Sequence, residues 1–330
     1  IIIVTMFLEV IWGAPVLPIN KDQYWYIDTA NTIASELADN IVNVDYSGIV
    51  RLHNRLYNVL AGWLTYLNGG NSIMVIRSFN VFCSAAIIII GYFLVRELYP
   101  EEADYQSMTI VALGLLPSIN LYSALILREI LIALLVTLFF YFIVTNKKLM
   151  SLLILLATYY LRRAISYIMI VIFLLSGLQK NRRLSLVRVI ILTSATILLS
   201  YAATHLFPVI SYTRAYFQIG VIVRFFLSFF TSFLSLDFIF TDTAREISTN
   251  QMLLLKMMTP EVFFLPILTL FKVFKRKQLM GEKEQELLFL VLIFIVMFSF
   301  GYFMEYGAVQ TRFYIPIYPL LLVINVPQLH

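Results

Sequence analysis

Charge is scarce in this chain. Asp, Glu, Lys and Arg make up 13% of its 330 residues, about half the ~25% usual in soluble domains. Cysteine is scarcer still: Cys83 stands alone inside an apolar run, so a disulfide framework is excluded and a thiol site is not expected. There are three histidines, and no His-Glu-x-x-His pair or paired-cysteine metal spacing. Walker loops and Gly-x-Gly-x-x-Gly turns before a helix are also missing. Those gaps argue against an ATP-driven pump and against a nucleotide-sugar enzyme with a soluble catalytic domain. Internal repeats, low-complexity tracts and a soluble domain are absent as well.

What the chain does have is apolar surface. It is 61% hydrophobic with a mean hydropathy of +0.87, and no soluble core of this size hides so much, so the solvent must be lipid. The net charge of +5 is not a nucleic-acid signature. The basic residues sit in short clusters between apolar runs, where they set orientation in a membrane.

A spanning helix needs about 20 mostly apolar residues. Candidates are 1–19, 73–97, 107–123, 125–145, 187–206, 252–273, 284–304 and 308–327. Residues 1–19 are read as a span, not a cleaved signal segment, because no small-residue cleavage site follows them. The stretch 149–178 carries Arg162–Arg163 at its centre and basic residues at both ends, Lys147–Lys148 before and Lys180, Arg182, Arg183 and Arg188 after. One helix would put those clusters on opposite sides, so two short helices turning at the arginine pair are expected. The expectation is an all-α polytopic transmembrane bundle of about ten spans, one integral membrane domain over 1–330. With the N-terminus inside, the loops 146–148, 179–188 and 272–283 fall on the cytoplasmic side, as their basic residues require. The segments 20–72 and 207–250 fall outside.

The first outer segment is organised. Tyr26, Ala30, Ile33, Leu37 and Ile41 recur at helical spacing, with Asn20 as a cap and Gln23 at the third helical position. A second stripe runs through Leu56, Leu60, Trp63, Leu64 and Leu67, and Asn68-Gly69-Gly70 stops it. Two amphipathic helices lying on the membrane face are expected.

Three groups of residues could carry chemistry, all on the expected outer side. Asp22 shares a helical face with Tyr26 and Ala30, close to the headgroups. A carboxylate there can take a proton from an incoming hydroxyl, although an acid in a first helical turn is also favoured by the helix dipole alone. Arg128–Glu129 opens the span 125–145. Ionisable groups at membrane depth are costly and face a cavity or a partner, unless their side chains snorkel to water. The third group is a set of cations suited to phosphate: Arg51, His53, Arg55, Arg162, Arg163 and Arg312. For Arg51 and Arg55 a solvated helix face serves as well.

The order of these features resembles the GT-C class of polytopic glycosyltransferases, which includes the dolichyl-phosphate-mannose-protein mannosyltransferase-like and aminoarabinose-transferase-like bacterial proteins. Asp22-Gln-Tyr-Trp-Tyr26-Ile-Asp-Thr-Ala30 looks like that class's acidic motif after the first span. Asn58-Val-Leu-Ala-Gly62 through Leu67-Asn-Gly-Gly70, then Arg77 and Asn80, is similar to the approach to its second span. Leu116-Pro117 through Arg128-Glu129 resembles the opening of its fourth, and Arg312-Phe-Tyr-Ile-Pro316-Ile-Tyr-Pro319 its late Arg-Tyr-Pro stretch. The likeness covers most of residues 1–180 and a short piece near the end.

The resemblance implies transfer of a sugar from a polyprenyl-phosphate-linked donor to a lipid, glycan or protein acceptor at the outer face of a bacterial inner membrane. It implies Asp22 as general base and Glu129 as a second acid supporting the acceptor or a divalent metal ion. Arg162, Arg163 and Arg312 are the phosphate-binding candidates. Many members carry a second acid directly after the first, whereas Gln23 stands here, which leaves Asp28 as an alternative base. No other cofactor follows, and nucleic acid is not a partner. Two other readings remain open: a polysaccharide (O-antigen-type) polymerase or ligase, which also uses lipid-linked sugars, and a lipid or solute transporter. A transporter predicts broken helices at mid-membrane and inverted repeats.

Overall fold

The computed structural model describes residues 21–39, 41, 44, 46, 55–70, 72–178, 225, 229, 261, 264–273, 281–306 and 311–329. The expected spans 1–19 and 187–206 and the segment 207–250, apart from Phe225 and Phe229, lie outside them. Among the described residues every regular element is helical.

Two helices form the first segment. α1 (Lys21–Asp39) and α2 (Arg55–Leu67) pack side by side. Most of the stripe read from the sequence is the buried face of α1: Tyr26, Ala30, Ile33 and Leu37 are buried, while Ile41 lies beyond the end of the helix and is exposed. Gly62 lets the two helices approach, since a Cβ there would meet the Ile33 side chain at 2.4 Å. On α2 the expected stripe is not the inner face. Tyr57, Asn58, Ala61 and Thr65 are buried, while Leu56, Leu60, Trp63 and Leu64 are half-buried and Leu67 is exposed. A helix resting against lipid can turn its large apolar residues outward and its small and polar ones toward protein. Gly69 and Gly70 end the helix in left-handed conformations (φ 70° and 100°), which glycine adopts at no steric cost.

Four elements then run to and fro. α3 (Ser72–Leu98) has 27 residues and spans about 40 Å. α4 (Ala103–Leu115) and α5 (Pro117–Ala124) take the place of one expected span. They bend by 48° at Leu116, because Pro117 cannot donate to the preceding turn. The groups freed by the break find partners: Asn120 Nδ2 donates to Gly114 O at 2.8 Å and Leu116 O at 3.1 Å, and Glu261 accepts from Ser118 N at 2.9 Å and from its hydroxyl. α6 (Glu129–Val144) runs parallel to α3. Asn80 meets Leu127 near the start of α6 and Phe93 meets Tyr141 near its end.

The arginine pair does turn the chain. α7 (Lys148–Leu161) and α8 (Arg163–Leu178) are separated by Arg162 in an extended conformation. They lie antiparallel, with Ser166 Oγ donating to Leu155 O at 3.1 Å and the Tyr159 and Tyr167 rings 6.4 Å apart. Leu149, Leu152, Leu153, Leu156, Tyr167 and Leu174 stay exposed on this hairpin, an apolar surface suited to lipid.

The late elements are α9 (Phe264–Val273), α10 (Glu282–Tyr306), a 3-10 turn (Thr311–Ile317) and α11 (Tyr318–Leu329). Residues 314–326 are buried throughout, so α11 is central to the bundle. Two helices, Ser72–Leu98 and Glu282–Gly301, are long and apolar enough to cross a membrane, or three spans if the bent α4–α5 pair is counted as one.

The bundle has two distinct ends. One holds Lys147–Lys148 at the tight α6–α7 turn and an ion pair between Lys283 and Glu97 (3.6 Å). The other holds the start of α6 and the Arg162–Arg163 turn, since α6 and α7 run antiparallel from that tight turn.

Candidate functional site

The site builds up around the linker Leu125–Arg128, between α5 and α6. Leu125 is extended (φ −90°, ψ 153°), and Leu127 is buried. A buried, non-helical stretch has backbone groups that need partners. Two amide side chains from other elements supply them. Gln23, on α1, accepts from Ile126 N at 3.0 Å. Asn80, on α3, donates through Nδ2 to Leu125 O at 2.7 Å and to Leu127 O at 3.2 Å. α1 is thereby tied to the residues just before Glu129. Asp22 lies beside Gln23 in the first turn of α1, so the first-segment acid and the mid-chain acid belong to elements joined by one hydrogen bond.

Tyr57 closes the other side. Its ring meets Tyr26 edge-on at 5.0 Å, and its oxygen accepts from Asn80 Nδ2 at 3.4 Å. Burial holds the Tyr57 phenol well above its ordinary pKa. Asn80 opposes the shift, and the neighbouring Tyr26 and Glu129 add to it. The phenol stays neutral, with a proton to donate. Glu129 is close enough to be felt by Tyr57. Among the described residues its buried Oε2 has no hydrogen-bond partner, and neither do Nε and Nη1 of Arg128 or both amide atoms of Asn58. Asn58 is 0% exposed. Partnerless buried polar atoms are rare in folded proteins and need a reason.

The remaining candidates fall as follows. Tyr26 is buried against Trp25 and Tyr57. Asp28 is exposed, on the face of α1 turned away from Tyr26 and Ala30. Arg163 lies 5.4 Å over the Tyr159 ring, and among the described residues its Nε has no hydrogen-bond partner. Arg162 is half-buried at the hairpin turn. Arg55 opens α2, and Arg312 sits in the 3-10 turn that packs on α6. Arg51 and His53 lie outside the described residues. Among the described residues no group of three His, Cys, Asp or Glu side chains could hold a metal ion.

The sequence pattern gives no site role to Tyr57, Asn58 or Asn80, and places Gln23 as a capping residue and as the residue standing where many GT-C proteins carry a second acid. Asn80 carried a usable signal: it is an amide inside an otherwise apolar spanning run, and such groups in lipid are costly unless partnered. The arrangement offers carboxylates, a neutral phenol and guanidinium groups at one end of the bundle, the set of groups needed to move a proton beside a bound anion. No protein-family model, no curated protein and no solved structure matches this chain.

Proposed function

We propose that this protein is a membrane glycosyltransferase of GT-C type, with about ten spans, which moves a sugar from a polyprenyl-phosphate-linked donor to a lipid, glycan or protein acceptor. The observation that carries the reading is the bond from Ile126 N to Gln23 Oε1, which draws the element bearing Asp22 to the one bearing Glu129. Lys147, Lys148 and Lys283 at the opposite end support an orientation with the acids facing outward, since cationic turns stay on the cytoplasmic side. The site then faces the outside of a bacterial inner membrane, where the donor's tail stays in lipid and its headgroup reaches the acids.

In this reaction Asp22 takes the proton of the acceptor hydroxyl as its oxygen attacks the anomeric carbon. The bond from that carbon to the phosphate oxygen breaks, and the electron pair leaves with polyprenyl phosphate. Arg162, Arg163 and Arg312, with Arg128, stabilise the growing negative charge. Glu129 holds the acceptor, or a divalent metal ion that binds it. Direct displacement inverts the anomeric centre. The test is release of polyprenyl phosphate in proteoliposomes supplied with a panel of undecaprenyl-phosphate sugars and membrane-extract acceptors. Asp22→Asn should abolish release without lowering expression, and full activity in that variant sinks the assignment.

One observation favours a second reading. The α4–α5 break carries the Glu261 carboxylate on the first turn of α5, and a broken helix with a buried acid suits a transporter. Solute flux across the same proteoliposomes, lost in Glu261→Gln, would decide for transport.

A further inference from the structure

We infer that Gln23 and Asn80 are positioning residues for Glu129, acting through the Leu125–Leu127 segment that leads into it. The inference rests on the reading of Glu129 and Asp22 as the reacting acids.

The physical argument begins with the linker. Between the last residue of α5 and the first of α6 the backbone of Leu125–Leu127 cannot bond within a helix, and Ile126 and Leu127 are buried. Each buried amide or carbonyl left alone there costs free energy. Gln23 Oε1 and Asn80 Nδ2 come from two helices that approach the linker independently, and they engage three consecutive residues. Gln23 is 1% exposed and Asn80 0% exposed, so neither can swing to solvent. Directly after the bonded residues comes Arg128, whose carbonyl accepts Ile132 N at 3.0 Å and starts α6. The two amides therefore decide where α6 begins and which way its first side chain, Glu129, is directed. Gln23 also has Asp22 as its chain neighbour, so the same bond ties the first turn of α1 to the segment that leads into α6.

The chemistry at the two positions differs, and this gives the test its shape. Position 23 needs an acceptor, which glutamate supplies as well as glutamine. Position 80 needs a donor, which aspartate lacks. The full-length chain in lipid nanodiscs is compared as wild type, Gln23→Leu, Gln23→Glu, Asn80→Leu and Asn80→Asp. Two quantities are read: hydrogen exchange at the Ile126 amide, and the yield of the dicyclohexylcarbodiimide adduct on Glu129 by mass spectrometry. Gln23→Leu should speed Ile126 exchange by roughly two- to tenfold, the range of one lost hydrogen bond, and change the adduct yield. Gln23→Glu should restore slow exchange. Both Asn80 variants should change the adduct yield. Faster exchange in Gln23→Leu with a wild-type adduct yield would leave Gln23 a packing residue and overturn its positioning role. Fast exchange in Gln23→Glu would overturn the acceptor argument. If Gln23→Leu does not fold, the opposite behaviour of Gln23→Glu and Asn80→Asp carries the decision. Undecaprenyl monophosphate added to the nanodiscs separates this inference from the functional reading. A normal variant pattern, with no protection of Glu129 by that lipid, keeps the positioning role and counts against a lipid-phosphate substrate.

Discussion

The two ends of the bundle differ in one respect: only one of them, among the described residues, holds a buried ion pair. At the end bearing Glu97, Lys272 of α9 and Glu284 of α10 form an ion pair at 2% exposure each, and the same ammonium donates to Ile324 O of α11. Asn325 beside it donates to Thr269 Oγ1 and Leu321 O, both at 2.7 Å, and Tyr99 lies against Glu284. Three helices are joined there by an ion pair and by side-chain bonds, although Asn325 Oδ1 and the Tyr99 hydroxyl have no hydrogen-bond partner among the described residues. At the other end Glu129, Arg128, Asn58 and Arg163 keep polar atoms with no hydrogen-bond partner among the described residues. The charge held in an ion pair is the Lys272–Glu284 end's; under the proposed function, Glu129 and Arg128 are the groups that meet substrate.

The comparison can be broken by mutation. The largest effect is expected at the paired end: Lys272→Met leaves Glu284 buried alone and should cost about 3–5 kcal/mol, read as a lowered unfolding midpoint in mixed micelles. Lys272→Met with Glu284→Leu should recover most of that loss, and a double variant as unstable as the single one would show that the pair does more than neutralise itself. At the unpaired end Glu129→Gln should leave the unfolding midpoint unchanged while transfer falls at least ~100-fold. A fall in stability to match Lys272→Met would erase the contrast between the ends. Glu261→Ala tests the helix break, where loss of the acceptor for Ser118 should cost about 1–3 kcal/mol. The smallest effect sharpens the contrast most. Asn58→Leu removes an amide with no partner and should raise stability by about 1 kcal/mol, yet lower turnover if that amide meets substrate.

Much of the fold was legible. The period of α1 predicted its buried face, because one side packs against protein. The doubled arginine predicted the α7–α8 turn, because two guanidinium groups are too costly in the middle of a lipid-facing helix. On α2 the same periodicity pointed at the wrong face. Hydropathy there registers contact with apolar matter, and lipid and protein are equally apolar. The residue pattern at 107–123 read as one span, and Pro117 with Asn120 and Glu261 makes it a bent pair. For the site, the acids and cations were visible as charge in an apolar chain. The amides that hold them were not, since a hydrogen bond between residues 23 and 126 leaves no trace in local spacing.

By itself the sequence determined the helical class and the apolar runs long enough to cross a membrane, because helices satisfy their own backbone hydrogen bonds wherever water is scarce. Only the tertiary structure decided which polar side chains meet. Whether an acid stands in an ion pair, as Glu284 does with Lys272, or keeps an oxygen with no hydrogen-bond partner among the described residues, as Glu129 does, depends on what distant helices bring to it.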